Sequence, residues 1–195
     1  MAKPRKLFRL ELGDIAGIVF FAFATVLSVL ASIQHSTVLA WLSVFHNGLL
    51  TFIYVIRNRP LRSDRIGLWL GLIAALLPTT TYPDTLSTPL LVVGLLGYGF
   101  VLWSLVILWR SFGIAPADRG LVTKTPYNLV RHPMYLGELV YRLALVAATF
   151  SLWGVLTFLV LVAIQVLRIR REERVITGYE DYKSSTRWRL IPGIW

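Results

Sequence analysis

Side chains that could bind a charged ligand are concentrated in residues 120–138. His132 precedes a proline, which pushes it toward an extended conformation. Pro133 suits the first position of a helix, where no hydrogen-bond donor is needed. The tract therefore predicts a helix that begins at Pro133. Its free N–H groups and positive dipole end would favour a carboxylate or phosphate, and Arg131 would add a donor. A membrane helix with ordinary interfacial aromatic residues is the alternative.

Two pairs of opposite charge lie four residues apart in or beside apolar sequence: Arg168 with Glu172, and Glu138 with Arg142. On a continuous helix the members of each pair share one face. Ionisable groups are costly within an apolar segment and indicate a functional site by default. For Glu138 and Arg142, a purely structural ion pair is an equal alternative. For Arg168 and Glu172 a structural ion pair is also the alternative, and it is the resemblance described below that favours a functional role.

The elements that must position these groups are membrane helices. The 195-residue chain is 56% hydrophobic and only 15% charged, whereas about a quarter of the residues in soluble domains are charged. Crossing the bilayer as a helix takes about 20 apolar residues. The sequence predicts an all-α, polytopic transmembrane bundle of five to six membrane helices, with the last two forming a hairpin. The apolar runs are 15–33, 38–56, 66–82, 86–109, 134–150 and 152–167.

The distribution of Lys and Arg predicts the topology. The connections 34–37 and 83–88 contain neither residue, and the basic residues lie in the N-terminal segment, 57–65, 110–133 and the C-terminal tail. This alternation is the positive-inside pattern. We therefore expect both termini on the cytoplasmic side, and we assign most of the net charge of +10 to topology and lipid headgroups. The chain has no cysteine, so a disulfide or thiolate chemistry is excluded.

The chemistry divides the chain into two segments. Residues 1–109 are predicted to be an N-terminal transmembrane scaffold of about four helices, in which Asn47 and the glycines of 94–99 serve helix contacts. Residues 110–195 are predicted to be the catalytic region. It would contain a cytoplasmic cofactor-binding loop, the helical hairpin 134–167 and a cytoplasmic C-terminal tail. We expect no metal site.

Three motifs in the second segment resemble a known family. They are Leu-Val-Thr-x-x-x-Tyr-x-x-x-Arg-His-Pro-x-Tyr-x-Gly at 121–137, Arg-x-x-x-Glu-Glu at 168–173 and Tyr-x-x-Tyr at 179–182. The pattern is similar to the isoprenylcysteine carboxyl methyltransferases, which form one membrane superfamily with the phospholipid methyltransferases. The resemblance covers roughly residues 90–195.

The resemblance implies methyl transfer from S-adenosylmethionine, with S-adenosylhomocysteine as product. The acceptor would be the C-terminal carboxylate of a prenylated cysteine or a similar lipophilic group, on a small molecule or a lipidated protein. Membrane lipids are expected partners and nucleic acid is not. Arg168 would contact the acceptor and act with Glu172 as a catalytic residue, and Glu138 and Tyr141 are expected to bind the substrate. The residues implied for the cofactor are Gly120, Leu121, Val122, Tyr127, His132, Pro133, Met134, Tyr135 and Glu172.

Other classes of protein remain open from the sequence. A phospholipid amine N-methyltransferase would share the cofactor site, but its acceptor must lose a proton to a base such as Glu138 or His46. A relative of membrane sterol reductases would use a nicotinamide cofactor, although the short chain argues against it. A membrane scaffold without enzymatic activity is the remaining alternative.

Overall fold

The computed structural model describes residues 12–35, 38–77 and 86–195. This part of the chain is helical and contains no strand, only an isolated bridge between Ser63 and Ala117. The all-α prediction is confirmed. The N-terminal basic cluster and half of the residues in the two connections without Lys or Arg lie outside the described residues. The helices are α1 (Leu12–His35), α2 (Val38–Ile56), α3 (Arg65–Leu76), α4 (Thr88–Leu108), α5 (Pro133–Thr149), α6 (Leu152–Val175) and α7 (Tyr179–Ser185), with a 3₁₀ turn at Trp109–Ser111.

Three helical segments in the described part of the chain are long and apolar enough to cross a membrane: Leu12–Gln34, Thr88–Ser111 and Leu152–Val175. Ala40–Ile56 and Arg65–Ala75 are apolar but shorter. The chain is accordingly an integral membrane protein with a helical membrane bundle. The contribution of the shorter helices to the five or six predicted crossings stays a prediction.

The described residues form two compact units. The first contains the chain up to Arg59 together with Trp109–Phe112. Within it, Asn47 of α2 donates to the hydroxyl of Ser28 in α1 at 2.9 Å, so the predicted helix contact at Asn47 is confirmed. At the other end of the α1 and α2 pair, the Nε of Arg57 donates to the carboxylate of Asp14 at 2.6 Å.

The second unit contains Pro60–Leu108 and Gly113–Trp195. Its helices α4 and α5 approach closely through two glycines. A Cβ added at Gly97 would lie 2.7 Å from the backbone nitrogen of Tyr141, and one at Gly137 would lie 2.7 Å from the backbone oxygen of Gly97. A side chain at either position would therefore prevent the two helices from lying this close together. The predicted packing role is confirmed for Gly97, whereas Gly99 faces open space.

A tight turn joins α5 to α6. Phe150 adopts a left-handed conformation and Ser151 caps α6 by accepting from the N–H of Gly154 at 3.0 Å. The predicted hairpin is thus confirmed. The helix α6 continues to Val175, beyond the apolar run that ends at Leu167, and its 24 residues rise about 36 Å. Arg168 and Glu172 therefore lie on one uninterrupted helix.

Backbone hydrogen bonds hold the loop around Asp118, which lies between α4 and α5 in the sequence. Leu61 donates to the carbonyl of Asp118 at 2.8 Å and Asp118 donates to that of Arg62 at 2.9 Å. The buried carboxylate of Asp118 accepts from the N–H of Thr177 at 3.1 Å. Asp64 caps α3 and accepts from Arg171 of α6 at 2.9 Å. These bonds attach two loops to the polar end of α6.

Candidate active site

The site is built around the N-terminus of α5. The helix begins at Pro133 with His132 as its N-cap, as the sequence predicts, and the His132 side chain makes no capping hydrogen bond. Because residues in the first turn lack intrahelical acceptors, the N–H groups of Met134 and Tyr135 are presented at this end. The buried imidazole of His132 lies between two aromatic rings, with centroids 5.7 Å from Tyr135 and 6.3 Å from Tyr179.

Tyr135 joins the end of α5 to α6. Its hydroxyl donates to Glu172 at 2.9 Å, and the guanidinium carbon of Arg168 lies 5.0 Å from the centroid of its ring. The Nδ1 atom of His132 lies 3.8 Å from the same carboxylate oxygen of Glu172. Tyr135 thus touches three residues that the sequence singled out, one on its own helix end and two on the neighbouring helix.

A chain of three polar side chains extends from Arg168 into the apolar part of the hairpin. The Nη1 of Arg168 donates to Oε1 of Gln165 at 3.0 Å, and Nε2 of Gln165 donates to Glu138 at 2.6 Å. The Nη2 of Arg168 donates to the carbonyl of Ile114 at 3.1 Å. Its buried Nε–H has no hydrogen-bond partner among the described residues. Glu138 therefore bonds Gln165, and the bonds of Arg168 go to neutral oxygens.

Glu173 forms a second cluster that sequence reasoning missed. It accepts both bonds of an Arg189 fork at 2.9 and 3.0 Å, and Arg131 lies 3.3 Å away. Its Oε1 also lies 3.4 Å from Nε2 of His132 and 3.4 Å from the Tyr179 hydroxyl. The side chain of Glu173 is 11% exposed against 25% for Glu172. Glu173 is thus occupied by protein donors, whereas Glu172 remains more accessible.

Three buried tyrosines surround these clusters. Burial raises the pKa of Tyr179 well above its usual range, and the negative charge of Glu173 adds to the effect. Burial likewise raises the pKa of Tyr182 and of Tyr127. The three hydroxyls therefore stay protonated and donate throughout the physiological pH range. Tyr182 donates to the carbonyl of Tyr127, and Tyr127 donates to that of Ser104 at 3.3 Å.

Residues 187–195, which we call the C-terminal strap, hold the backbone before α5. The N–H groups of Arg131 and His132 donate to the carbonyls of Trp188 and Arg189 at 2.8 and 2.9 Å. Leu190 is buried against Tyr135 and Ile169. The N–H groups of Arg189 and Leu190 donate to the carbonyl of Trp195, which closes the strap on itself. The strap therefore fixes the position of His132 from outside its own helix.

The structure brings together the predicted residues His132, Pro133, Tyr135, Arg168 and Glu172, with Glu138 linked through Gln165. Met134 packs against the cluster of Tyr135, Ile169 and Leu190, and Tyr141 packs edge-to-face on Tyr98 of α4, with centroids 5.0 Å apart. Gly120 donates to Asp118, and Leu121 and Val122 are half-buried beside it. The roles of all these residues stay predictions.

Signals for the missed residues were present in the sequence. Glu173 is the second glutamate of the double-glutamate motif, and Gln165 is a polar residue one helical turn before Arg168. An open groove of about 340 Å³ also runs along the junction of α6 and α7, with Glu173, Gly178 and Tyr179 in its lining. Glu173 and Tyr179, which both lie close to His132, therefore also line this groove.

Residues 90–179 match the family model of phospholipid methyltransferases. Phospholipid methyltransferases are one family of the integral membrane methyltransferase superfamily, which also includes the isoprenylcysteine carboxyl methyltransferases. The expected resemblance is confirmed, and the match includes His132, Tyr135, Arg168 and both glutamates but ends before the C-terminal strap. No curated protein and no solved structure matches the chain.

Proposed function

We propose that this membrane methyltransferase uses S-adenosylmethionine to methylate a lipophilic acceptor whose reacting group lies at Arg168. One observation carries the proposal. Tyr135 contacts His132 at the helix end and also Glu172, and both of these suit the cofactor. The guanidinium of Arg168, which suits the acceptor, lies over the ring of the same tyrosine. A methyl donor and an acceptor bound on the two sides of this residue would be adjacent, as direct transfer requires.

The residues around His132 fit the cofactor. S-adenosylmethionine supplies an electrophilic methyl group on a sulfonium. The uncapped first turn of α5 suits the cofactor's carboxylate, and the buried Nε–H of Arg131 has no hydrogen-bond partner among the described residues. Glu172, with its partly exposed carboxylate, suits the positively charged or hydroxyl-bearing parts. The rings of Tyr135 and Tyr179 would exclude water.

Arg168 suits an acceptor carboxylate. A carboxylate is already ionised at neutral pH, so its oxygen can attack the methyl carbon without a base. The C–O bond forms as the S–C bond breaks, and the positive charge of the sulfonium is neutralised. Arg168 would orient the acceptor oxygen with its free Nε–H edge, and its planar group favours carboxylates. The acceptor we propose is the C-terminal carboxylate of a prenylated cysteine or a similar lipophilic acid.

A phospholipid amine is the second candidate acceptor, because the matching family model is that of phospholipid methyltransferases. An ammonium must lose a proton before it can attack. Glu138 is the carboxylate nearest to Arg168 along the polar chain, one amide away, and it would accept that proton while Arg168 holds the lipid phosphate.

Reconstituted protein with radiolabelled S-adenosylmethionine would test both candidates. We expect label in a prenylated cysteine analogue, and transfer to phosphatidylethanolamine instead would select the second candidate. Titration with S-adenosylhomocysteine should show binding that His132→Ala weakens about ten- to hundred-fold, because bonds to charged ligands are lost. A wild-type protein that binds only a nicotinamide dinucleotide, or neither cofactor, would overturn the proposal.

A further inference from the structure

Gln165 carries an inference that rests on the proposed function. It is fully buried, at 0% exposure, within the apolar length of α6. We infer that Gln165 is a positioning residue for methyl transfer, which orients Arg168 and keeps its charge separate from that of Glu138.

The hydrogen bonds of Gln165 leave its amide only one orientation. Its Nε2 faces Glu138 at 2.6 Å and its Oε1 faces Nη1 of Arg168 at 3.0 Å. A carboxylate can only accept and a guanidinium can only donate, so a flipped amide would break both bonds. Each bond also includes a charged partner, which makes it stronger than a neutral one. The amide is therefore a rigid link between α5 and Arg168.

This link fixes the direction of the Arg168 fork. Nη1 is held by Gln165 and Nη2 by the carbonyl of Ile114, so both ends of the planar group are tied. The edge that remains is Nε–H, which is buried and unpartnered in the described part of the chain. A guanidinium tied at two corners cannot turn this edge away from an acceptor. Orientation of the reacting group within a fraction of an ångström controls the rate.

The same link keeps two charges from neutralising each other. Both acceptors of Arg168 are neutral oxygens, and Glu138 meets it only through the amide. A carboxylate bonded directly to Arg168 would compete with an anionic acceptor for the guanidinium. An amide supplies the same geometry without that competition. A purely structural contact between helices is the rival explanation, and either an amide or a carboxylate could serve it.

Gln165→Met removes both bonds with an unbranched side chain of similar size. We expect kcat/KM for the acceptor to fall about ten- to hundred-fold, while affinity for S-adenosylhomocysteine stays within about twofold. Thr157→Val is the matched control, since Thr157 is buried on the same helix and bonds the carbonyls of Trp153 and Gly154. The control should keep normal kcat/KM. A Gln165→Met protein that methylates normally per folded molecule would overturn the inference.

A swapped pair separates charge from geometry. Gln165→Glu combined with Glu138→Gln can restore the hydrogen-bonded chain but places a carboxylate on Arg168. We expect this double variant to melt no earlier than Glu138→Gln alone, yet to have a kcat/KM at least about tenfold lower. Equal turnover in the two would reduce Gln165 to a structural contact. If the wild-type protein methylates no acceptor, the proposed function fails and this inference fails with it.

Discussion

At the scale of single residues, Arg168 and Glu172 share a helix face but have different partners. Arg168 is held by Gln165 and Ile114, and Glu172 by Tyr135. Arg168→Ala should keep near-normal affinity for S-adenosylhomocysteine and lose turnover about hundredfold or more, because a misplaced acceptor reacts slowly. Arg168→Lys should also be poor, since an ammonium cannot replace the planar fork. Titrations and kinetics on the same preparations measure both effects.

Glu172→Ala should impair cofactor binding more than turnover. It should weaken the cofactor about ten- to hundred-fold and recover part of its turnover at saturating S-adenosylmethionine. Thermal melts of both variants serve as the control for folding. If both melt early yet methylate normally per folded molecule, the catalytic assignment is wrong.

Glu173 differs from Glu172 because its contacts hold parts of the protein together around the site. Its carboxylate forms ion pairs with both Arg131 and Arg189, and the side chain of Arg131 is only 4% exposed. Glu173→Gln should therefore destabilise the protein by about 3 kcal/mol, as loss of one member of a buried pair does. Glu172→Gln is the matched control and should change stability little while weakening the cofactor. Denaturant titration in detergent, without cofactor, compares the two, and equal losses would contradict the distinction.

At the scale of elements, the sequence predicted those features of the helices that depend on residues close together in the chain. Proline chemistry gave the start of α5, and helical periodicity gave the common face of Arg168 and Glu172. The cluster at Glu173 could not be predicted this way. Its partners come from Arg131, Tyr179 and Arg189, which lie before α5, on α7 and in the C-terminal strap. Only the tertiary fold brings these segments together, so no spacing in the sequence indicates them.

The C-terminal strap is the element whose removal should disconnect the site. Deleting residues 187–195 removes the carbonyls that hold the N–H groups of Arg131 and His132, and also the contact of Leu190 with Tyr135. We expect affinity for S-adenosylhomocysteine to fall more than about hundredfold, because several bonds are lost together. Circular dichroism should show the helical content nearly unchanged. Trp195→Ala is a milder variant and should give a smaller loss. Full affinity in the truncated protein would contradict a role for the strap.

At the scale of the whole molecule, the side of the membrane on which the site lies depends on whether the chain crosses the membrane an odd or an even number of times before it. Three helices, α4, α5 and α6, separate Ser87 from Ser184. If all three cross, the two serines lie on opposite sides. If α5 and α6 enter and return as a hairpin, α4 alone crosses and the serines are still on opposite sides. The charge pattern predicts that Ser184 lies on the cytoplasmic side, because basic residues surround it.

Single cysteines can test this arrangement without background, since the chain has none of its own. Ser87→Cys should react with an impermeant thiol reagent in intact cells, and Ser184→Cys should react only after lysis, because both side chains are exposed in the structure. Labelling of both from outside would contradict the single net crossing. Reversed labelling would place the site on the other face, away from cytoplasmic cofactor. Trp153→Cys, at the exposed tip of the hairpin, then distinguishes the two routes, since external labelling there requires that α5 and α6 cross fully.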